Sequence, residues 1–180
     1  MLAVELLFSL EILVFMNLKN LSWNVRGLND YRKRSIVKNL LRDWKCDVIC
    51  LQETKLTGMD RQMVGNLWSC PFVDWVALDA VQTASGILLM WDRRVLERTE
   101  VLVGSFSVSV RWQGVGDGFS WACSGVFGPI DNNARGLMWD KLVGVVLGTS
   151  ILSASLVNDW VILILLQLWK FFPSSSRILI

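Results

Sequence analysis

The chain has 180 residues, enough for one domain with a real core, and 53% of them are hydrophobic against 19% charged. That balance excludes a disordered chain, and a formal net charge of +2 supplies no global basic footprint for nucleic acid. The sequence has no histidine, which removes the commonest general base and any Ser-His or Cys-His nucleophile.

Residues 1–15 are apolar but interrupted by Glu5 and Glu11, with no basic residue ahead of the apolar run. A signal peptide wants a positive start and a small-residue cleavage site, and a bilayer span wants a longer uninterrupted run. The segment is therefore expected to be an extension upstream of a natural start at Met16. Leu18 to Trp23 suits a strand ending at Asn24, with Gly27 supplying the turn. Asn29 or Asp30 then caps a helix from Tyr31 to about Trp44. Its apolar face carries Ile36, Val37, Leu40, Leu41 and Trp44, with Arg32, Lys33, Arg34, Lys38 and Arg42 elsewhere. Asp47 to Glu53 is a continuous apolar run closed by polar residues, as in a strand buried on both faces. Together the three make a β-α-β unit.

A short helix is expected around Asp60–Trp68, then strands over Phe72–Leu78 and Gly86–Trp91. Phe106, Val108, Val110 and Trp112 alternate with Ser107, Ser109 and Arg111, and Phe119, Trp121 and Cys123 alternate likewise with Ser120, Ala122 and Ser124. With Gly114–Gly118 between them, these read as an antiparallel hairpin with one wet face. A helix from about Asn133 to Val146 follows, presenting Leu137, Leu142, Val145 and Val146. Beyond Leu147 the period is lost, and Trp160–Trp169 is apolar but too short to span a bilayer. That tail reads as sequence with no partner in the fold. The four cysteines (Cys46, Cys50, Cys70, Cys123) form no C-x-x-C pair and read as small buried thiols of a reducing compartment. With no secretion signal or membrane span, an intracellular place, nuclear or cytoplasmic, is expected.

Asn24 and Glu53 each close a strand of the β-α-β unit, so parallel pairing brings both to one edge of the sheet, where open α/β sheets place ligands. A carboxylate and an amide oxygen are hard ligands, suited to Mg²⁺ and through it to phosphate. The bland alternatives are a turn asparagine and a solvated glutamate. The basic residues between Arg26 and Lys45 would serve as phosphate contacts on DNA, or simply as a solvated helix face. Most of the tryptophans fit core positions rather than stacking platforms for bases. Asp131-Asn132-Asn133 reads as a turn and helix cap rather than a metal pair.

Ser22-Trp23-Asn24-Val25-Arg26-Gly27-Leu28-Asn29 followed by Leu51-Gln52-Glu53-Thr54-Lys55-Leu56 resembles the endonuclease/exonuclease/phosphatase superfamily. The likeness is closest to the endonuclease domain of plant LINE-type (non-LTR) retrotransposon proteins. It extends through Ser85–Asp92, Phe106–Ser109, Ser124–Pro129 and Arg135–Leu142, in order, from about Met16 to Val146. The resemblance implies a four-layer α/β sandwich, two mixed sheets flanked by helices, with Mg²⁺- or Mn²⁺-dependent nicking of DNA. It implies that Asn24 arranges the polar network of the site and that Glu53 binds the metal, which would polarise the phosphate. Arg26, Arg32, Lys33 and Arg34 are then candidate contacts to the DNA backbone.

The departures are as specific as the match. The family's phosphate-proximal tyrosine is Phe127 here. The expected Gly-Asp-Phe-Asn segment and the closing Ser-Asp-His motif are both absent. The expectation is a partial sandwich over residues 16–146 lacking its C-terminal strands, followed by a divergent apolar tail over 147–180, with little or no nuclease activity. The alternative is a non-catalytic remnant binding nucleic acid or protein through the basic helix and exposed sheet edges.

Overall fold

The computed structural model describes residues 18–81, 85–128, 138, 161–166 and 178–179. The β-α-β unit forms as expected: β1 (Asn20–Asn24), α1 (Tyr31–Trp44) and β2 (Val48–Gln52), with β1 and β2 parallel. Helix α2 (Arg61–Leu67) leads to β3 (Val73–Leu78) and β4 (Ile87–Asp92). Then come β5 (Leu96–Val103), β6 (Ser107–Gly114) and β7 (Ser120–Val126). Two tail segments close the order, β8 (Val161–Leu166) and β9 (Ile178–Leu179). One sheet runs β3-β4-β2-β1-β9 and the other β5-β6-β7-β8. These two mixed sheets with flanking helices are the α/β architecture the sequence implies.

The alternation of strand side chains sorts the core into layers. Ile49 and Leu51 of β2 and Leu88 and Met90 of β4 join Val37, Leu41, Val64 and Leu67 of the helices. Their neighbours Val48, Cys50, Ile87, Leu89 and Trp91 face the other way, into a cluster with Val108, Val110, Trp112, Trp121 and Cys123. Trp112 stands between Trp91 at 5.5 Å and Trp121 at 4.6 Å, ring centre to ring centre. Most tryptophans among the described residues are thus core, as their periodicity indicates; Trp139 lies outside the described residues. Gly125 sets how close the sheets come. A β-carbon there would stand 2.7 Å from Cys50 Sγ and 3.0 Å from Ile87 Cγ2.

Both helices start on side-chain caps. Asp30 accepts the Arg32 amide at 2.8 Å and Asp60 the Met63 amide at 2.7 Å, each satisfying a donor with no intrahelical partner. Ile36 departs from its expected place, being 58% exposed while Val37 and Leu41 are buried. The contact follows the stripe from Val37 to Leu41, and Ile36 stands one position round the helix, past its edge.

Two other expectations are corrected, and one strand is added. The serine face of the β6–β7 hairpin is wet only near its turn, where Gln113 is exposed, because Ser107, Ser109 and Ser124 are buried and the Ser109 and Ser124 hydroxyls pair at 2.7 Å. On that face Val126 packs with Met138 and Phe106. The alternation of serine with large apolar residues marks a thinly filled second interface rather than solvent. Strand β5, unforeseen, is a charged edge in which Glu97, Arg98 and Thr99 are exposed, with a bulge between Arg98 and Glu100. Charges and bulges are how edges resist further pairing, and here they hide the strand from a hydrophobic pattern. Finally, the tail is not wholly without partners: β8 pairs parallel with β7 and β9 antiparallel with β1. The expected helix over 133–146 lies outside the described residues except for Met138, which is helical. Residues 1–15 lie outside them too. Among the described residues no helix is long and apolar enough to cross a membrane.

Candidate functional site

Asn24 and Gln52 are register partners at the ends of β1 and β2. The alternation that buries Val48 and Cys50 between the sheets turns Gln52 the same way, and both Asn24 (6% exposed) and Gln52 (2%) are buried. Beyond them the chain does not simply leave the sheet. Val25 donates to the Gln52 carbonyl at 3.0 Å, Gly27 to Glu53 at 2.6 Å and Leu28 to Thr54 at 2.7 Å. The loop after β1 is therefore laced to the segment after β2. Asn24 Oδ1 accepts the Arg26 amide at 2.9 Å, an Asx turn that reverses the chain.

Backbone strain concentrates at this edge. Arg26, Glu53, Lys55 and Ser85 have positive φ (51°, 53°, 56° and 66°), and Gly27 and Gly86 stand beside them at 96° and 93°. A non-glycine residue so held costs about 1–3 kcal/mol and persists only where its surroundings dictate it. Here they do: Thr54 donates to Gly86 and Lys55 to Ser85, each at 3.1 Å. Gly86 must be glycine, since a β-carbon would collide with Thr54 Oγ1. Glu53 follows directly from this bend and is half-buried.

Phe127 leaves β7 half-buried, its ring 6.1 Å from Phe106 and its amide donating to the Phe106 carbonyl at 2.9 Å. The end of β7 is tied to the end of β2 by Gln52 Nε2, which donates to the Val126 carbonyl at 3.3 Å. Glu53 and Phe127 are the next residues after each strand, so the two sheets present them at one rim. The sequence reading missed Gln52 as the link; its only signal is a polar residue on the inward phase of a buried strand.

The four candidate cations separate. Arg26 and Arg32 are exposed. Lys33 Nζ donates to the Arg26 carbonyl at 3.0 Å, and Arg34 Nη1 donates to the Leu28 and Asn29 carbonyls at 2.7 and 3.0 Å. As metal ligands the present residues fall short. Glu53 offers one carboxylate, Asn24 Oδ1 already accepts a hydrogen bond, and among the described residues no group of three or more His, Cys, Asp or Glu could hold a metal ion. That donor set does not fit a divalent cation. Asp131, Asn132 and Asn133 lie outside the described residues. The cysteines supply no alternative. Cys46, Cys50 and Cys123 are buried, and burial pushes the Cys50 thiol up to about 12 and the Cys46 thiol up to about 11. Such thiols stay protonated and inert.

Residues 21–150 match the Endonuclease/Exonuclease/phosphatase family. No curated protein sequence matches the chain significantly. Among solved structures, a mannosyl-6-phosphatase of Bacteroides thetaiotaomicron superposes with a TM-score of 0.55 at 14% identity, covering 74% of this chain and 61% of that one. A humanized TDP2 of D. rerio gives 0.52 at 19%, covering 82% and 60%. The APE2 catalytic domain of Xenopus laevis gives 0.50 at 16%, covering 71% and 51%. At these identities the likeness is one of fold, and the chain spans between 51% and 61% of their length. By the match over residues 21–150 and the two-sheet fold behind it, the chain belongs to the endonuclease/exonuclease/phosphatase family, a superfamily of metal-dependent nucleases and phosphatases.

Proposed function

We propose that this chain is a fragment of the DNA endonuclease domain of a plant-like LINE-type element, a phosphodiester hydrolase by descent, and that this polypeptide alone nicks DNA weakly or not at all. The observation that carries the reading is the laced, left-handed edge after β1 and β2, which presents Asn24 and Glu53 together within the segments that resemble that branch. In this reading Glu53 is the metal-binding carboxylate of the parent enzyme, for Mg²⁺ or Mn²⁺, and Asn24 orders the polar network around it. Phe127 keeps the ring of the phosphate-proximal position without its hydroxyl donor. Arg26 and Arg32, both exposed, are candidate contacts to a DNA backbone. The domain covers residues 16–146, and residues 147–180 stand apart from it by origin.

The inactivity follows from chemistry. Loss of a general base alone lowers a rate by ~10²–10⁴. This sequence also lacks the histidine that would contact the phosphoryl oxygens. A supercoiled-plasmid nicking assay with Mg²⁺ or Mn²⁺ tests the reading. No nicking above background is expected from the chain or from Glu53→Ala. Nicking that Glu53→Ala abolishes would overturn the inactivity, and salt-sensitive DNA binding without nicking would favour the non-catalytic remnant.

A further inference from the structure

Lys33 and Arg34 stand in the first turn of α1, where a basic residue gains nothing from the helix dipole. Neither is paired with a carboxylate among the described residues. Their side chains instead turn back over the helix start to three carbonyls of the loop after β1. Lys33 Nζ reaches the carbonyl of Arg26 at 3.0 Å. One nitrogen of Arg34 is shared between the carbonyls of Leu28 at 2.7 Å and Asn29 at 3.0 Å. These carbonyls belong to a loop that makes no regular ladder of its own and would otherwise be left to solvent.

The same residues carry the opposite set of bonds on their amide sides. The Arg26 amide donates to Asn24 Oδ1, the Gly27 amide to Glu53 and the Leu28 amide to Thr54. The loop is thus gripped from both directions: amides toward the strand ends, carbonyls toward the helix. Arg26 sits at φ 51°, in the left-handed region, which a lone Asx turn does not by itself make favourable. A charged donor to a carbonyl contributes more than a neutral one, and two such donors on one short loop fix the backbone that holds Asn24 in its rotamer.

We propose that Lys33 and Arg34 are positioning residues that lock the β1–α1 loop and thereby orient the Asn24 side chain, rather than DNA contacts. Arg26 and Arg32 are left as the residues at this helix start whose exposure suits a phosphate backbone. The proposal rests on the assignment of Asn24 to the site, but its test does not depend on nuclease activity, so the two fail separately.

Amide hydrogen exchange on the full chain decides it. Arg34→Ala is expected to speed exchange of the Arg26 and Leu28 amides roughly tenfold or more while the β2 amides of Cys50 and Leu51 keep their protection. Arg34→Lys, which keeps one charged donor, recovers part of that protection, and Arg32→Ala changes none of it. A general loss of packing would not show that rescue. If Arg34→Ala unfolds the sheet, Lys33→Ala, which removes one bond to the Arg26 carbonyl, carries the same expectation at the Arg26 amide. Unchanged exchange at Arg26 in every folded variant overturns the proposal. So does a Lys33→Ala or Arg34→Ala chain whose only change is a shallower salt dependence of DNA binding, since that marks a phosphate contact.

Discussion

Gln52 Nε2 donates to the main-chain carbonyl of Val126 across the gap between the two sheets, 3.3 Å away, with Glu53 and Phe127 next after each strand. A residue inside a buried strand thereby ties together the ends of two strands of different sheets, each followed by one of the rim residues. Gln52→Ala leaves the Val126 carbonyl without this donor and opens space beside it. The expected loss is about 1–3 kcal/mol of unfolding free energy, measured as a lower urea midpoint with an unchanged slope. Gln52→Glu should fare no better, because a carboxylate has no donor to offer. A chain of unaltered stability would mean that the sheets are held together at this end by apolar contact alone.

The same end of this interface is also governed by the absence of a side chain, at Gly125 next to Val126. A β-carbon at Gly125 would sit 2.7 Å from Cys50 Sγ and 3.0 Å from Ile87 Cγ2, both fully buried in the central sheet. Gly125→Ala therefore forces β7 away from β2 and β4, at about 1–3 kcal/mol for overpacking a filled core. Gly116→Ala is the control, since nothing lies within 4 Å of its β-carbon. Thermal unfolding of the two variants side by side separates the clash from a general effect of losing glycine. Equal melting temperatures would show that the sheets yield without penalty.

Much of this could be read from the sequence, for identifiable reasons. The strand ending at Asn24, the helix capped by Asp30 and the buried strand ending at Gln52 each carry a period, a cap or an apolar run set by local chemistry. What escaped is decided between elements. Strand β5 has no hydrophobic period because it is an edge whose pairing with β6 supplies its stability. The buried serines of β6 and β7 look wet because a residue's polarity does not tell how closely another layer approaches. At the site, the spacing of Asn24 and Glu53 announced a shared edge, but nothing local revealed that Lys33 and Arg34 would turn back on the loop.

Acid sensitivity should centre on Asp92. Burial works to raise its pKa, but hydrogen bonds from the Arg94 side chain and backbone, and one from Cys70, outweigh burial and hold the carboxyl below its ordinary value of 3.8. Arg94 grips it at both oxygens, with Nη2 2.5 Å from Oδ2 and Nε 3.1 Å from Oδ1. A lowered native pKa means that the unfolded chain binds the proton first. The stabilisation is thus present above the unfolded value and is lost as pH falls through the folded one. The urea midpoint of the unaltered chain should fall as pH drops through the ordinary carboxyl value of 3.8 toward the lower native one, and Asp92→Asn should flatten that limb while lowering stability near neutrality. An Asp92→Asn chain with the same acid slope would place the sensitivity on other carboxylates.

The tail makes a prediction that needs no protein. The Gly-Asp-Phe-Asn segment expected by resemblance is absent from the reading frame, and Trp160-Val161-Ile162-Leu163-Ile164 stands in the region where it should fall. Tryptophan has the single codon TGG and every valine codon opens with GT. Read two nucleotides out of phase, Trp160-Val161 therefore spells GGT, glycine, whatever synonym is used. GTG at Val161, ATT at Ile162 and TTA at Leu163, followed by the opening AT of Ile164, then spell GAT-TTT-AAT, which is Asp-Phe-Asn. The tail would in that case be the shadow of the lost motif, and its apolar character an accident of translating those bases in the wrong phase rather than selection for a buried strand. The gene is expected to read TGG GTG ATT TTA AT across these codons. Each of Val161, Ile162 and Leu163 admits one codon only, so any synonym found at one of them sinks the frameshift and leaves the motif lost by divergence.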